Sequence, residues 1–239
     1  MALLVANLPL FLDGVLTTLR LALVTLVLST ALAVVVGLMS LARWRVLRWA
    51  ARAFVEFFRA IPLIVNLLFV YFGAPLLGLP LDPFAAAVAS FSSWGGANGA
   101  EIVRGGFNAV PAHQREGALA LGLKPWQVLL LVLAPQVLPP IIPPFTGLFS
   151  VLIQATSLAS LVGALEFFRT AQIVVERTTL QTGYSPAFLV YAFVLAVYFA
   201  ICFALAALTR RLERHLATRT ERTGWKLPPA TARAVAESI

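Results

Sequence analysis

Five long stretches of this chain carry almost no charge, and each is long enough to need a bilayer rather than water around it. The run Leu21 to Leu41 holds no Asp, Glu, Lys or Arg, and about 20 apolar residues are what a helix needs to cross the hydrocarbon core. In such a solvent every backbone N–H and C=O must bond within its own segment, so spanning elements are helices or a closed barrel. The runs are continuous rather than alternating, which selects helices. Composition agrees: 60% of residues are hydrophobic and 12% charged, about half the charged share of a soluble domain. The expected fold class is an all-α integral membrane protein.

The first span is expected to open at Asp13 as an N-cap, with its uncharged core at residues 21–41. A basic segment with Arg43, Arg45, Arg48 and Arg52 leads to a second span over about 53–72, where Glu56 and Arg59 can pair one turn apart. A turn-rich stretch from Gly73 to Pro83 precedes a third span at 84–103. That span carries Ser90, Ser92, Ser93, Gly95, Gly96, Asn98 and Gly99. Small residues four apart let helix backbones approach closely, so this span is expected to face protein or a cavity.

A polar insert over about 104–138 follows. Gly122 is expected to end one short helix and Pro125 to open another. Pro139, Pro140, Pro143 and Pro144 predict a fourth span, about 140–164, broken or kinked at its start. Residues 166–185 read as a short amphipathic excursion, and 187–208 as a clean fifth span. Residues 1–12 are expected to form an external segment without a cleaved leader, 13–215 the membrane domain, and 216–239 a flexible tail.

Net charge is +8, and the cations gather beside spans, which is a topology signal rather than a nucleic-acid footprint. Segments after the first, third and fifth spans hold five, three and seven Lys or Arg, against only Arg169 and Arg177 on the other side. The positive-inside rule therefore places the N-terminus outside and the insert and tail in the cytoplasm. Cys202 is the single cysteine, and His113 and His215 lie far apart without acids beside them. No disulfide within the chain, metal site or catalytic base is expected.

The insert resembles a known motif. Glu116-Gly117-Ala118-Leu119-Ala120-Leu121-Gly122, then nine residues and Val132-Leu133-Ala134-Pro135, is similar to the Glu-Ala-Ala loop of ABC importer permeases. Phe54 to Arg59 with Pro62-Leu63, Glu101 to Gly106, and Thr156 to Ser160 resemble the polar amino-acid subfamily, the histidine and glutamine type. The likeness covers roughly residues 13–215. It implies the type I importer fold and a coupling loop whose ATPase contacts are Glu116, Gly117, Ala118, Gly122, Leu123, Trp126 and Pro135. It implies as partners a cytoplasmic ATPase dimer that binds ATP and Mg, a second permease subunit, identical or paralogous, and an external solute-binding protein. The chain itself is expected to hold no cofactor, to catalyse nothing and to sit in a bacterial inner membrane.

Gly117 stands where that family has Ala, which loosens the coupling helix by about 1 kcal/mol. Uncharged polar residues at membrane depth are the candidates for the solute pathway: Asn98, Gln154, Thr156, Ser157 and Ser93. Ser and Thr ordinarily bond back to their own helix, whereas Asn98 and Gln154 are expected to need partners elsewhere. The opposing reading is a channel or secondary transporter without an ATPase. That class usually carries inverted repeats and a charged mid-membrane ion site, and neither is visible in the sequence. An intramembrane protease is disfavoured by the lack of a histidine or paired aspartates at membrane depth.

Overall fold

The computed structural model describes the backbone of residues 2–222 and the side chains of residues 3–211. Ten α-helices follow in order: α1 Ala2–Ala6, α2 Leu8–Ser40, α3 Arg45–Ala60, α4 Leu63–Gly73, α5 Pro83–Ala109, α6 Ala112–Ala120, α7 Pro125–Gln127, α8 Ala134–Ala155, α9 Phe167–Thr182 and α10 Ala187–Arg222. A 3-10 turn over Ala74–Leu77 extends α4, a π-helical turn over Val128–Leu133 precedes α8, and a 3-10 turn over Thr156–Val162 extends it. Three helical stretches among the described residues, Leu8–Ser40, Pro125–Val162 and Ala187–Arg211, are long and apolar enough to cross a membrane, and a bent pair brings the total to four. The small and polar residues of α5 keep it below that threshold, although its 27 residues span about 40 Å at 1.5 Å each.

The centre of the molecule is the α2/α5 pair, and glycine makes it possible. A Cβ at Gly96 would lie 2.6 Å from Leu32 Cβ, one at Gly99 2.6 Å from Ala33 Cβ, and one at Gly95 2.9 Å from Ser29 Cβ. Residue numbers rise together along both helices, so α2 and α5 run parallel. The same glycines meet α8 in reverse order, Gly95 beside Leu152 and Gly99 beside Phe145, so α8 is antiparallel to α5. Gln154 and Thr156 meet Cys202 and Tyr198, which makes α10 antiparallel to α8. The third span thus packs against protein through its small residues, as its sequence implies. Around it lie Leu21, Leu67, Phe91, Phe145 and Leu152, all buried.

Several boundaries differ from the sequence reading. α2 begins at Leu8, with Pro9 in its first turn and Asn7 in the cap position. Asp13 is inside the helix, and its carbonyl accepts from the Thr17 hydroxyl at 3.0 Å, so Asp13 is not the cap. The second span is not one helix. The chain turns by 103° between Arg45–Ala60 and Leu63–Leu77, because Pro62 removes a donor and drives Ile61 to extended backbone, φ −90° and ψ 129°. Arg59 then reaches Glu101 at 3.8 Å instead of pairing with Glu56.

The four interior prolines of α8 do not break it, since Ala134–Ala155 is one helix with Pro139, Pro140, Pro143 and Pro144 inside. Each removes one i to i−4 bond, yet φ stays helical and the apolar faces hold the path; the irregular turns fall at the two ends instead. Residues 167–182 form one helix of 16 residues, and Phe167, Thr170, Ala171 and Val174 are buried. It is therefore packed into the bundle. Of the expected tail, residues 216–222 continue α10, and 223–239 lie outside the described residues.

Candidate functional site

The parallel run of α2 and α5 brings Ser40, α3, Arg104 and α6 to one end of the bundle. α6 carries the motif. Its C-terminus is closed by Gly122 at φ +85°, with Gly122 N–H donating to Leu119 O at 2.9 Å and Leu123 N–H to Ala118 O at 3.2 Å. That pair of bonds is the Schellman stop, and it requires a left-handed residue that glycine supplies without steric cost. Lys124 N–H then donates to Gln127 Oε1 at 2.8 Å, fixing the start of α7 at Pro125.

Within α6 only Ala118 is buried and Gln114 is half-buried, while the other side chains are exposed. Glu116, Gly117, Gly122 and Pro135 are exposed, and Leu123 is half-buried. Trp126 is 58% exposed and Leu121 85% exposed. Both side chains stand open at the tip of this helix–turn–helix. Sequence reasoning singled out Leu123 and Trp126 and missed Leu121, whose place one residue before a predicted helix-ending glycine was the available signal. A Cβ on Gly117 would meet nothing within 4 Å, so its lack of a side chain affects only helix propensity.

The pathway candidates separate. Asn98 Nδ2 donates to Trp94 O at 2.9 Å, so one amide N–H is bonded one turn back on α5. Ser93 and Ser157 likewise donate to Ala89 O and Gln154 O at 2.8 Å. Thr156 is fully buried and donates to Ile153 O at 2.7 Å. Gln154 alone projects into open space, in an apolar cleft of about 610 Å³ formed with Phe168, Tyr191, Tyr198, Phe199 and Cys202. Its amide reaches Cys202 Sγ at 3.9 Å. Asn98 does not line this cleft.

Beside the cleft lies a group that sequence reasoning missed. Glu166 is fully buried. Its Oε2 accepts from Phe168 N–H at 2.8 Å, Tyr198 Oη at 3.1 Å and Thr18 Oγ1 at 3.4 Å, and its Oε1 from Arg169 N–H at 2.7 Å. It caps α9 while tying α2 and α10 together, and Tyr198 Oη also lies 3.4 Å from Thr156 Oγ1. Burial pushes the Glu166 carboxyl up to about 6, against the opposing pull of its hydrogen bonds. The signal was present in Leu165-Glu166-Phe167-Phe168, an acid standing immediately before an apolar-periodic helix. Asn66 was missed too; it is buried, and its Nδ2 donates to Ser90 O at 3.0 Å, joining α4 to α5. Among the described residues no group of His, Cys, Asp and Glu could hold a metal.

Residues 30–218 match the model of the family described as binding-protein-dependent transport system inner membrane component. The chain belongs to that family. It is 32% identical over 213 residues to the L-cystine transport system permease protein TcyB of Bacillus subtilis, covering 87% of this chain and 89% of that one. It is 32% identical over 221 residues to the glutamate/aspartate import permease protein GltK of Escherichia coli O157:H7, covering 89% and 96%. Among solved structures, a crystal structure of an amino acid ABC transporter with histidines matches with a TM-score of 0.79 and 27% identity, over 89% of this chain and 96% of that one. The MetNI methionine ABC transporter in its inward-facing conformation shares the fold, with a TM-score of 0.72 and 22% identity over 88% and 98%. The chain is thus a permease subunit of an ABC importer with the type I fold.

Proposed function

We infer that this subunit forms half of the translocation pathway for a polar amino acid or close analogue, and that α6 couples it to a cytoplasmic ATPase. The observation that carries the reading is the α6 end. A Schellman-stopped helix whose one buried residue is Ala118 leaves Glu116, Leu121 and Trp126 exposed at one tip, a shape fit to enter a groove on a soluble partner. The amino-acid assignment is supported by relatives whose names specify cystine and glutamate/aspartate.

In this reading α2, the α4 segment, α5, α8 and α10 are five crossings with the N-terminus outside and α10 ending in the cytoplasm. The shared direction of α2, α5 and α10, with α8 opposite, and the positive-inside count support it. ATP and Mg belong to the partner ATPase, a second permease subunit completes the pathway, and an external binding protein delivers the solute at a bacterial inner membrane. Gln154 is the pathway residue that the cleft favours.

The test is uptake into proteoliposomes holding the permease, its ATPase and the binding protein. Amino-acid accumulation that requires both ATP inside and binding protein outside is expected. Uptake that proceeds without ATP would establish a channel or secondary transporter instead.

A further inference from the structure

α3 exposes arginines on one side, Arg52 and Arg59, and large apolar residues on another, which is the wrong surface for water. Val46, Trp49 and Phe57, spaced by three and eight residues, are 77%, 73% and 56% exposed. Trp44, just before the helix, is 75% exposed. The other face packs Ala51 and Val55 against Val36 and Ala100. Because the chain bends by 103° into α4, a crossing α4 leaves α3 close to the membrane plane. A helix with tryptophans and aliphatics on its open side and arginines on the other is the pattern of an interfacial element.

Between that arginine face and the ends of α2 and α5 is a cavity of about 250 Å³. Arg48, Arg52, Arg59 and Arg104 line it with Glu56 and Glu101, four cations against two anions. Arg104 is committed, with Nε and Nη2 both on Glu101, at 3.0 and 2.6 Å. One Arg48 nitrogen caps the end of α2 through Ala42 O and Arg43 O. Arg52 makes no ion pair among the described residues, and Arg59 makes only the 3.8 Å approach to Glu101. The free valence of the cavity is therefore for an anion, presented by guanidiniums whose planar forks suit phosphate oxygens.

We propose that this cavity binds the phosphate of an anionic phospholipid, with Arg52 and Arg59 as its principal contacts and the apolar face of α3 among the neighbouring acyl chains. A lipid is favoured over a free anion because the cavity and the aromatic face are two sides of one helix at one membrane level. The inference rests on the reading that α2, α4 and α5 cross the bilayer, not on the coupling role of α6.

The test reconstitutes the full chain in vesicles of brominated phosphatidylcholine and replaces that lipid stepwise with unbrominated phosphatidylglycerol, following recovery of the quenched fluorescence of Trp44 and Trp49. Recovery well ahead of statistical replacement is expected. In R52Q/R59Q the preference should fall about tenfold to thirtyfold, while R52K/R59K restores most of it. R43Q/R45Q removes the same charge from exposed positions outside the cavity and should lose several-fold less. Equal losses in the two glutamine variants would show diffuse surface attraction and overturn the site. Displacement by inorganic phosphate would assign it to a free anion, and a wild-type chain with no preference, or a preference that appears only in self-associated chains, would also overturn it. Retained ATPase association in R52Q/R59Q, measured alongside, separates this result from the coupling reading.

Discussion

Replacing Gly99 by alanine puts one methyl group at a close approach between α5 and α2. The new Cβ would lie 2.6 Å from Ala33 Cβ and 3.2 Å from the Phe145 ring. The ring can turn, but the Ala33 methyl is fixed to the α2 backbone, so α2 and α5 must separate. Overpacking of this kind costs about 1–3 kcal/mol. Alanine returns up to about 1 kcal/mol of helix propensity. Gly105→Ala, on the same helix, meets nothing within 4 Å and keeps only the gain. The propensity terms cancel between the two variants, leaving the steric term of about 1–3 kcal/mol. For a chain of this size that is a gap of roughly 2–12 °C in midpoint. Thermal unfolding of both proteins in one detergent, followed by circular dichroism, reads it directly. If Gly99→Ala is as stable as Gly105→Ala, the two helices do not meet through glycine and the packing account is wrong.

Glu166 makes stability depend on pH. Its folded-state value is raised from 4.5 to about 6, so the benefit of its protonated form is complete below 4.5 and is lost as pH rises through 6, a decrease of about 2 kcal/mol. Unfolding midpoints measured from pH 4.5 to 7.5 should fall for the wild type and show a flatter profile for Glu166→Gln; parallel profiles would remove Glu166 as the cause. In the pathway, Gln154→Ala should change solute selectivity or uptake rate, whereas Asn98→Ala should change them less because its amide is bonded to Trp94 O. Equal effects in transport assays would return Asn98 to the pathway.

What the sequence revealed was set by local chemistry. The helix stop at Gly122, the start at Pro125 and the close packing of the third span follow from backbone rules that need no knowledge of neighbours, and each appears where its residues imply. The second span was misread because hydropathy averages across Ile61-Pro62, where the proline turns the chain. The α8 prolines misled in the opposite direction, since a breaker in water is tolerated where the surrounding bundle fixes the helix. Glu166 and Asn66 were invisible for a different reason. Their partners, Thr18, Tyr198 and Ser90, are 148, 32 and 24 residues away, and only the folded chain brings them together.

The central claim is that α6 docks an ATPase through a helix end that glycine alone can close. Gly122→Val forces a β-branched side chain to φ +85°, a position that costs about 1–2 kcal/mol even for ordinary residues, and nothing else near it would be crowded. The decisive measurement is recovery of the co-expressed ATPase with affinity-tagged permease from solubilised membranes, with permease insertion quantified in the same samples. The account predicts normal insertion but loss of most of the bound ATPase in Gly122→Val and Glu116→Lys, and retention in Gly105→Ala. Full recovery of the ATPase with both α6 variants would contradict it.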